Sequence, residues 1–306
     1  MKYLLRIVVL ALITLVAGCT GNGGNQPAEH RIVVSTNILG DVVRNIVGDT
    51  ADVRVLMKPN ADPHSFAVSA QEAAAITTAD LLVYNGLGLE ESLQRHIDSA
   101  AANGVPTLPV GERVDPIRYA SGEGEGRPDP HFWTDPQRML TGVDVIVDAV
   151  TEHIPDIDGK RISENAENYR TELRKLSDLM TERFAAIPIE RRKLVTNHHV
   201  LGYLAARYDF TVIGAVVPSG STLASPSSSD LDSLAGAIRE SGVPAIFVDS
   251  SHPDRLARVL ADEAGVDVDV VALYSESLGE PGTSGATYLD MMRTNTEAVV
   301  TGLTSR

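Results

Sequence analysis

Between Ile162 and about Ala186 lies the longest uninterrupted helical pattern of the chain, with an array of alternating strand and helix signals on either side of it. Tyr169, Leu173, Leu176, Leu179 and Phe184 recur at helical spacing with charges between them, which predicts one buried stripe on a long amphipathic helix. The segment Pro155-Asp156-Ile157-Asp158-Gly159 separates it from the preceding helix, and Ile187-Pro188 ends it. A lone helix of this length between two such arrays predicts a rigid spine joining two domains. The competing expectation is one more covering helix in a continuous sheet.

In the first array, strand patterns at Arg31–Thr36, Ala51–Met57, Asp80–Tyr84 and Pro106–Val110 alternate with helices at Ile38–Val47, Ser69–Thr78, Leu89–Ala102 and Asp135 to about Ile154. In the second, strands at Lys193–Asn197, Thr211–Val217, Ala245–Asp249 and Asp267–Leu273 alternate with helices at Val200–Tyr208, Asp230–Glu240, Arg255–Ala264 and Ala286–Leu303. Strand–helix alternation of this kind builds parallel sheets covered by helices. The expected fold is therefore α/β, with two (β/α)4-type domains at 31–155 and 193–306 joined by a linker helix within 159–188. No residue-by-residue repeat relates the two halves.

The amino terminus reads differently. Lys2 and Arg6 precede an apolar run from Ile7 to Val16 that is too short to span a bilayer and has the layout of a secretory signal. Val16-Ala17-Gly18-Cys19 resembles a bacterial lipobox. Residues 1–18 are thus expected to be a signal peptide, with Cys19 the lipidated first residue of a flexible tether over 19–30. Cys19 is the single cysteine, so no intrachain disulfide is possible. The expected location is outside the cytoplasm, lipid-anchored to the cell membrane or periplasmic. With 41 acidic against 26 basic residues and a formal charge of −15, the chain repels nucleic acid and is not expected to bind it.

Four short stretches carry the chemistry: Asp62-Pro63-His64, Asp129-Pro130-His131, Asn197-His198-His199 and Ser275-Glu276-Ser277. All four follow predicted strands at their carboxy-terminal ends, where open α/β sheets bind ligands, and two come from each half. A site in the interdomain cleft can use all of them. Three imidazoles and a carboxylate make a closed site for a divalent transition metal, zinc above all. Asp62, Asp129 or Asn197 could orient a ring nitrogen. Adjacent side chains on a strand end point opposite ways, so only one of His198 and His199 should ligate, and spacing does not say which. His30, His96 and His153 read as ordinary surface residues, and His252 as a turn residue that could line the cleft. Trp133 reads as packing beside the site, and Ser219–Thr222 as a Ser-rich turn.

Val34-Ser35-Thr36-Asn37, Asp62 to Phe66, Asn85-Gly86-Leu87, Asp129 to Trp133, Gly202-Tyr203-Leu204 and Tyr288 to Asn295, in this order, resemble the zinc- and manganese-binding solute-binding lipoproteins of ABC importers. The likeness runs from about Arg31 to Leu303. It implies two (β/α) domains joined by a rigid backbone helix, with metal buried at their interface. By position it implies the ligands His64, His131, His198 and Glu276. His198 is indicated because the family's third ligand precedes a Gly-Tyr pair by about four residues, as here before Gly202-Tyr203. His199 stands where the family commonly has an acid, and Glu276 where it most often has aspartate. Ser121–Pro128 lacks the His-rich loop of many zinc-dedicated relatives, but three nitrogen donors favour zinc over manganese.

The function expected is capture of a divalent metal outside the cell and its delivery to an ABC permease, by a monomer with no catalytic role. An extracytoplasmic metallohydrolase would need an open coordination position and a general base, and the chain has no His-Glu-x-x-His helix. A surface adhesin involved in cell adhesion is the remaining alternative.

Overall fold

The fold is seen in a computed structural model that describes residues 30–122 and 124–305. The expected signal peptide, the lipidated Cys19 and all but the last residue of the tether lie outside these. Among the described residues no helix is long and apolar enough to cross a membrane.

Two four-stranded parallel sheets form the two lobes. The first contains β1 (Arg31–Val34), β2 (Asp52–Val55), β3 (Leu81–Tyr84) and β4 (Thr107–Pro109) in the order β2-β1-β3-β4. The second contains β5 (Lys193–Thr196), β6 (Thr211–Ala215), β7 (Ala245–Asp249) and β8 (Asp269–Leu273) in the order β6-β5-β7-β8, the same topology. Helices α1 (Asn37–Val47), α2 (Ala70–Thr77), α3 (Gln94–Ala102) and α4 (Pro136–His153) belong to the first half. Then α5 (Gly159–Ala185) precedes α6 (Gly202–Tyr208), α7 (Ser228–Ser241), α8 (Arg255–Ala264) and α9 (Tyr288–Thr304).

Side chains alternate across a strand, and the two faces of each sheet feed different cores. Ile32, Val34, Leu81 and Val83 join Leu194, Ala245 and Phe247 of the other lobe in one central cluster that also takes in the buried face of α5. Val33 and Leu82 face an outer cluster under α2 and α3. Val195, Ile246 and Val248 face another under α7 and α8. The lobes therefore share a continuous apolar interior, and each has a private outer layer.

The 27-residue α5 is about 40 Å long at 1.5 Å per residue. Asp158 caps it by accepting from the Arg161 amide at 3.1 Å. Its buried stripe is Ile162, Ala166, Tyr169, Leu173, Leu176, Met180 and Phe184. Met180 takes the place expected of Leu179, which lies one residue off that face and is only half-buried. α5 packs against α1, α4 and α9. The last helix also returns to the first lobe, where the Tyr288 amide donates to Asp41 Oδ2 at 3.0 Å.

The helix expected from Leu89 begins only at Gln94. Gly86, Leu87 and Gly88 all have positive φ, which a right-handed helix cannot continue. The Glu90 carboxyl folds back to accept from the Asn85 amide at 2.6 Å, the Gly86 amide at 3.1 Å and Ser35 Oγ at 2.7 Å. Burial holds this carboxyl above the ordinary range.

Candidate metal centre

His64 stands in the loop after β2, His131 in the loop after β4, His198 just past β5 and Glu276 just past β8. Because the sheets share topology and face each other, these four loop ends meet between the lobes. One ligand-type atom from each lies within 4.8 Å of the others, and all four residues are buried. Glu276 is central: its oxygens lie 3.1 Å from His198 Nε2, 3.6 Å from His131 Nε2 and 3.7 Å from His64 Nε2. A tetrahedral ion with bonds of about 2.0–2.1 Å sets its ligand atoms about 3.4 Å apart, and these separations bracket that value. The imidazole centroids lie 5.2–5.7 Å apart.

Among the described residues, seven buried polar atoms of this cluster lack a hydrogen-bond partner: both ring nitrogens of His64 and His198, Nε2 of His131, and both oxygens of Glu276. Buried polar groups are nearly always paired, so unpaired donors and acceptors converging on one point are a cluster that could hold a metal. Burial, reinforced by the neighbouring imidazoles of His131 and His198, pushes His64 down to about 2. Burial brings His198 down to about 4, against the opposing pull of Asp249 and Asp62. Both rings are thus neutral at physiological pH, the state in which histidine binds a metal. Glu276 is raised well above the carboxylate range by burial, although His131 opposes this. A cation in the cluster reverses that preference by supplying the missing positive charge.

The supporting residues divide. Asp129 Oδ1 accepts from His131 Nδ1 at 2.8 Å and from the His131 amide at 2.9 Å, turning Nε2 toward Glu276. Asp62 holds no ring nitrogen. It accepts from the His64 amide at 2.9 Å, Ser65 Oγ at 2.8 Å and, across the cleft, Thr222 Oγ1 at 2.6 Å. Asn197 contributes its backbone carbonyl to the Val217 amide rather than its side chain to a histidine. His199 turns away from the cluster, half-buried beside Tyr119 with ring centroids 6.5 Å apart, and its amide donates to the Ser219 carbonyl. Trp133 packs edge-on against His131 and donates to the Ser275 carbonyl at 2.9 Å. His252 does line the cleft, with Nε2 3.8 Å from Asp62 Oδ2.

Three residues near the cluster gave no local signal. Glu91 Oε1 lies 3.6 Å from His64 Nδ1 and accepts from Ser221 Oγ at 2.6 Å. Tyr119 Oη lies 3.4 Å from His131 Nδ1 and donates to the Gly220 carbonyl at 3.2 Å. Asp249 binds the backbone beneath Glu276. Asp249 ends the expected strand Ala245–Asp249, and nothing local points to its partner Ser275, 26 residues on. Tyr203, in the Gly-Tyr pair, donates to the Asp129 carbonyl at 2.7 Å and ties the lobes together behind His131.

Comparison with known proteins agrees with this geometry. Residues 32–302 match the family described as zinc-uptake complex component A, periplasmic. The chain is 30% identical over 299 residues to the manganese-binding lipoprotein MntA of Halalkalibacterium halodurans, covering 97% of this chain and 96% of that one. It is 28% identical over 308 residues to the manganese ABC transporter substrate-binding lipoprotein PsaA of Streptococcus anginosus, covering 98% and 97%. The solved structure of the periplasmic zinc-binding protein TroA of Treponema pallidum superposes with a TM-score of 0.82 at 29% identity, over 90% of this chain and 99% of that one. These relatives are named as binding proteins and not as enzymes. By fold, by coverage and by sequence, the chain belongs to the zinc-uptake complex component A family of metal ABC transporter substrate-binding proteins.

Proposed function

We propose that this protein captures one divalent transition metal outside the cytoplasm, most favourably zinc, and hands it to an ABC permease. The ion is the cargo, held by His64 Nε2, His131 Nε2, one ring nitrogen of His198 and the Glu276 carboxylate. The observation that carries this reading is the set of buried, unpartnered ligand atoms on these four residues. Cys19 is the lipid anchor, residues 1–18 its signal peptide, and 31–155 and 193–306 the two domains that close on the ion about the 159–188 linker.

Zinc is favoured by donor type. Three neutral imidazoles and one carboxylate suit a borderline, four-coordinate ion better than manganese, which prefers oxygen donors and higher coordination. Manganese is the second reading, supported by the relatives named for it. Metal content of protein purified without chelator, followed by zinc–manganese competition, tests both. One zinc per chain that excess manganese does not displace supports the proposal. Manganese retained against zinc overturns the cargo, and no stoichiometric metal after reloading overturns the site.

A further inference from the structure

Glu276 is the one carboxylate of the cluster, and a second carboxylate that touches none of the histidines holds its backbone from beneath. Asp249, the last residue of β7, is 1% exposed. Its Oδ2 accepts from the Ser275 amide at 3.1 Å, from Ser275 Oγ at 2.7 Å and from the Glu276 amide at 3.0 Å. Its Oδ1 accepts from the Ser251 amide at 2.8 Å and from Ser251 Oγ. The opposite side of the same segment is held by the first lobe. Trp133 Nε1 donates to the Ser275 carbonyl, Asn37 Nδ2 donates to Ser277 Oγ at 2.8 Å, and Asn37 Oδ1 accepts from the Leu278 amide at 3.0 Å. The backbone carrying Glu276 is thus gripped on both sides and has little freedom to follow an ion.

We propose that Asp249 is the positioning residue for Glu276. By gripping the Ser275 and Glu276 amides it presets where the carboxylate oxygens stand relative to the three Nε2 atoms, and so biases the site toward a small four-coordinate ion. A larger ion seeking both carboxylate oxygens and added water needs the segment to shift, and Asp249 resists that shift. The inference rests on the capture reading above, because it assigns a role to a residue that reaches the ion only through Glu276.

The test is Asp249→Asn in the purified chain, with zinc and manganese affinities measured by chelator competition. The asparagine carries one acceptor oxygen where the carboxylate has two, so it cannot satisfy the Ser275 and Glu276 amides and the Ser251 amide together, and the charge that strengthens each bond is gone. The expected loss of zinc affinity is about 10- to 100-fold, the range for groups that orient a metal ligand, with a narrowed zinc-over-manganese ratio. The visible spectrum of the cobalt-loaded protein should also lose its tetrahedral intensity. A purely structural residue would lower the melting temperature but leave that ratio and spectrum alone. In a Glu276→Gln background, Asp249→Asn should add almost nothing, because residues acting through one another are not additive. Equal loss in both backgrounds, or wild-type affinities and ratio in the single variant, overturns the proposal.

Should Asp249→Asn not fold, Ser275→Ala removes one donor and keeps the two amide bonds. It should cost about threefold to tenfold in zinc affinity, and an unchanged affinity overturns the role. Wild-type protein that takes up no ion would instead overturn the capture reading itself, so the two failures are told apart.

Discussion

Asp129 Oδ1 holds both the backbone amide and the ring Nδ1 of His131, at 2.9 and 2.8 Å. One oxygen therefore fixes where this histidine sits and which of its nitrogens carries the proton. A carboxylate can only accept here, so Nδ1 carries the hydrogen and Nε2 is left with its lone pair toward the cleft. Asp129→Ala should lower metal affinity by about 10- to 100-fold, read by competition against a chromophoric chelator. Wild-type affinity in this variant would mean that packing against Trp133 and Tyr119 alone orients the ring.

His198 and His199 are adjacent, but only His198 reaches Glu276. Replacing His64, His131 or His198 by alanine should weaken zinc binding by several kcal/mol, because structural zinc sites in peptides hold on the order of 10 kcal/mol. His199→Ala should cost less than about tenfold, below the range for residues that orient a ligand. Isothermal titration of the four variants checks this, and a larger loss at His199 than at His198 would exchange their roles.

If Glu276 holds the ion, metal capture and the stability of the metal-free protein oppose each other. Its folded-state pKa is raised above the usual 4.5, so the folded chain binds more protons than the unfolded chain above that pH. Its contribution to stability is fully present below pH 4.5 and declines as pH climbs toward the raised value, by at most about 1.4 kcal/mol per pH unit. His64 acts in the opposite sense: its lowered pKa costs stability as pH falls below 6.5 toward about 2. Above pH 6.5 the glutamate is isolated from that effect. Metal-free Glu276→Gln should therefore unfold at higher denaturant than wild type above about pH 6.5, with a gap that widens as pH climbs toward the raised value. Added zinc should reverse the order. Parallel stability curves for the two proteins would contradict the raised pKa.

Trp133 Nε1 donates across the cleft to the Ser275 carbonyl. Trp133→Phe leaves that buried carbonyl short of a partner, an expected cost of about 1–3 kcal/mol in chemical denaturation. The same variant should release zinc faster to excess chelator, because Ser275 adjoins Glu276. An unchanged release rate would confine the indole to packing.

The spine α5 packs its buried stripe against α1, α4 and α9, and both lobes share one apolar interior with it. Wide hinge opening would expose that interior, so metal binding should proceed by small shifts of one lobe against the other. Small-angle scattering with and without zinc should give the same radius of gyration within error. A large contraction on loading would rule this out.

Local chemistry made much of the architecture legible before any coordinates. The apolar run Ala245–Asp249 and the amphipathic Arg255–Ala264 match their elements at both ends, because hydrophobic periodicity and flanking turn residues are written within a few positions. α3 starts later than its pattern suggests: Leu89 to Leu93 reads as helical, but the turn through Gly86–Gly88 and the distant Ser35 claim Glu90 first. Leu179 falls off the buried face because two successive steps of three, from Leu173 to Leu176 to Leu179, run behind the 3.6-residue turn, and Met180 one residue on restores the alternation.

The order of strands and helices, the long central helix and the four loop stretches that carry His64, His131, His198 and Glu276 follow from the amino-acid sequence alone, because each rests on the types and spacing of near neighbours. Which side chain of the His198–His199 pair enters the cleft, that Asp129 holds a ring while Asp62 holds the His64 amide, Ser65 and Thr222, and that Asp249 grips the Glu276 backbone were decided by tertiary structure. The Asp249–Glu276 grip and the Asp62–Thr222 bond join residues 27 and 160 positions apart, which no local pattern records. The Asp129–His131 contact is local, but Asp62-Pro63-His64 has the same spelling and makes no such bond to its ring, so the surrounding packing decides which carboxylate reaches an imidazole.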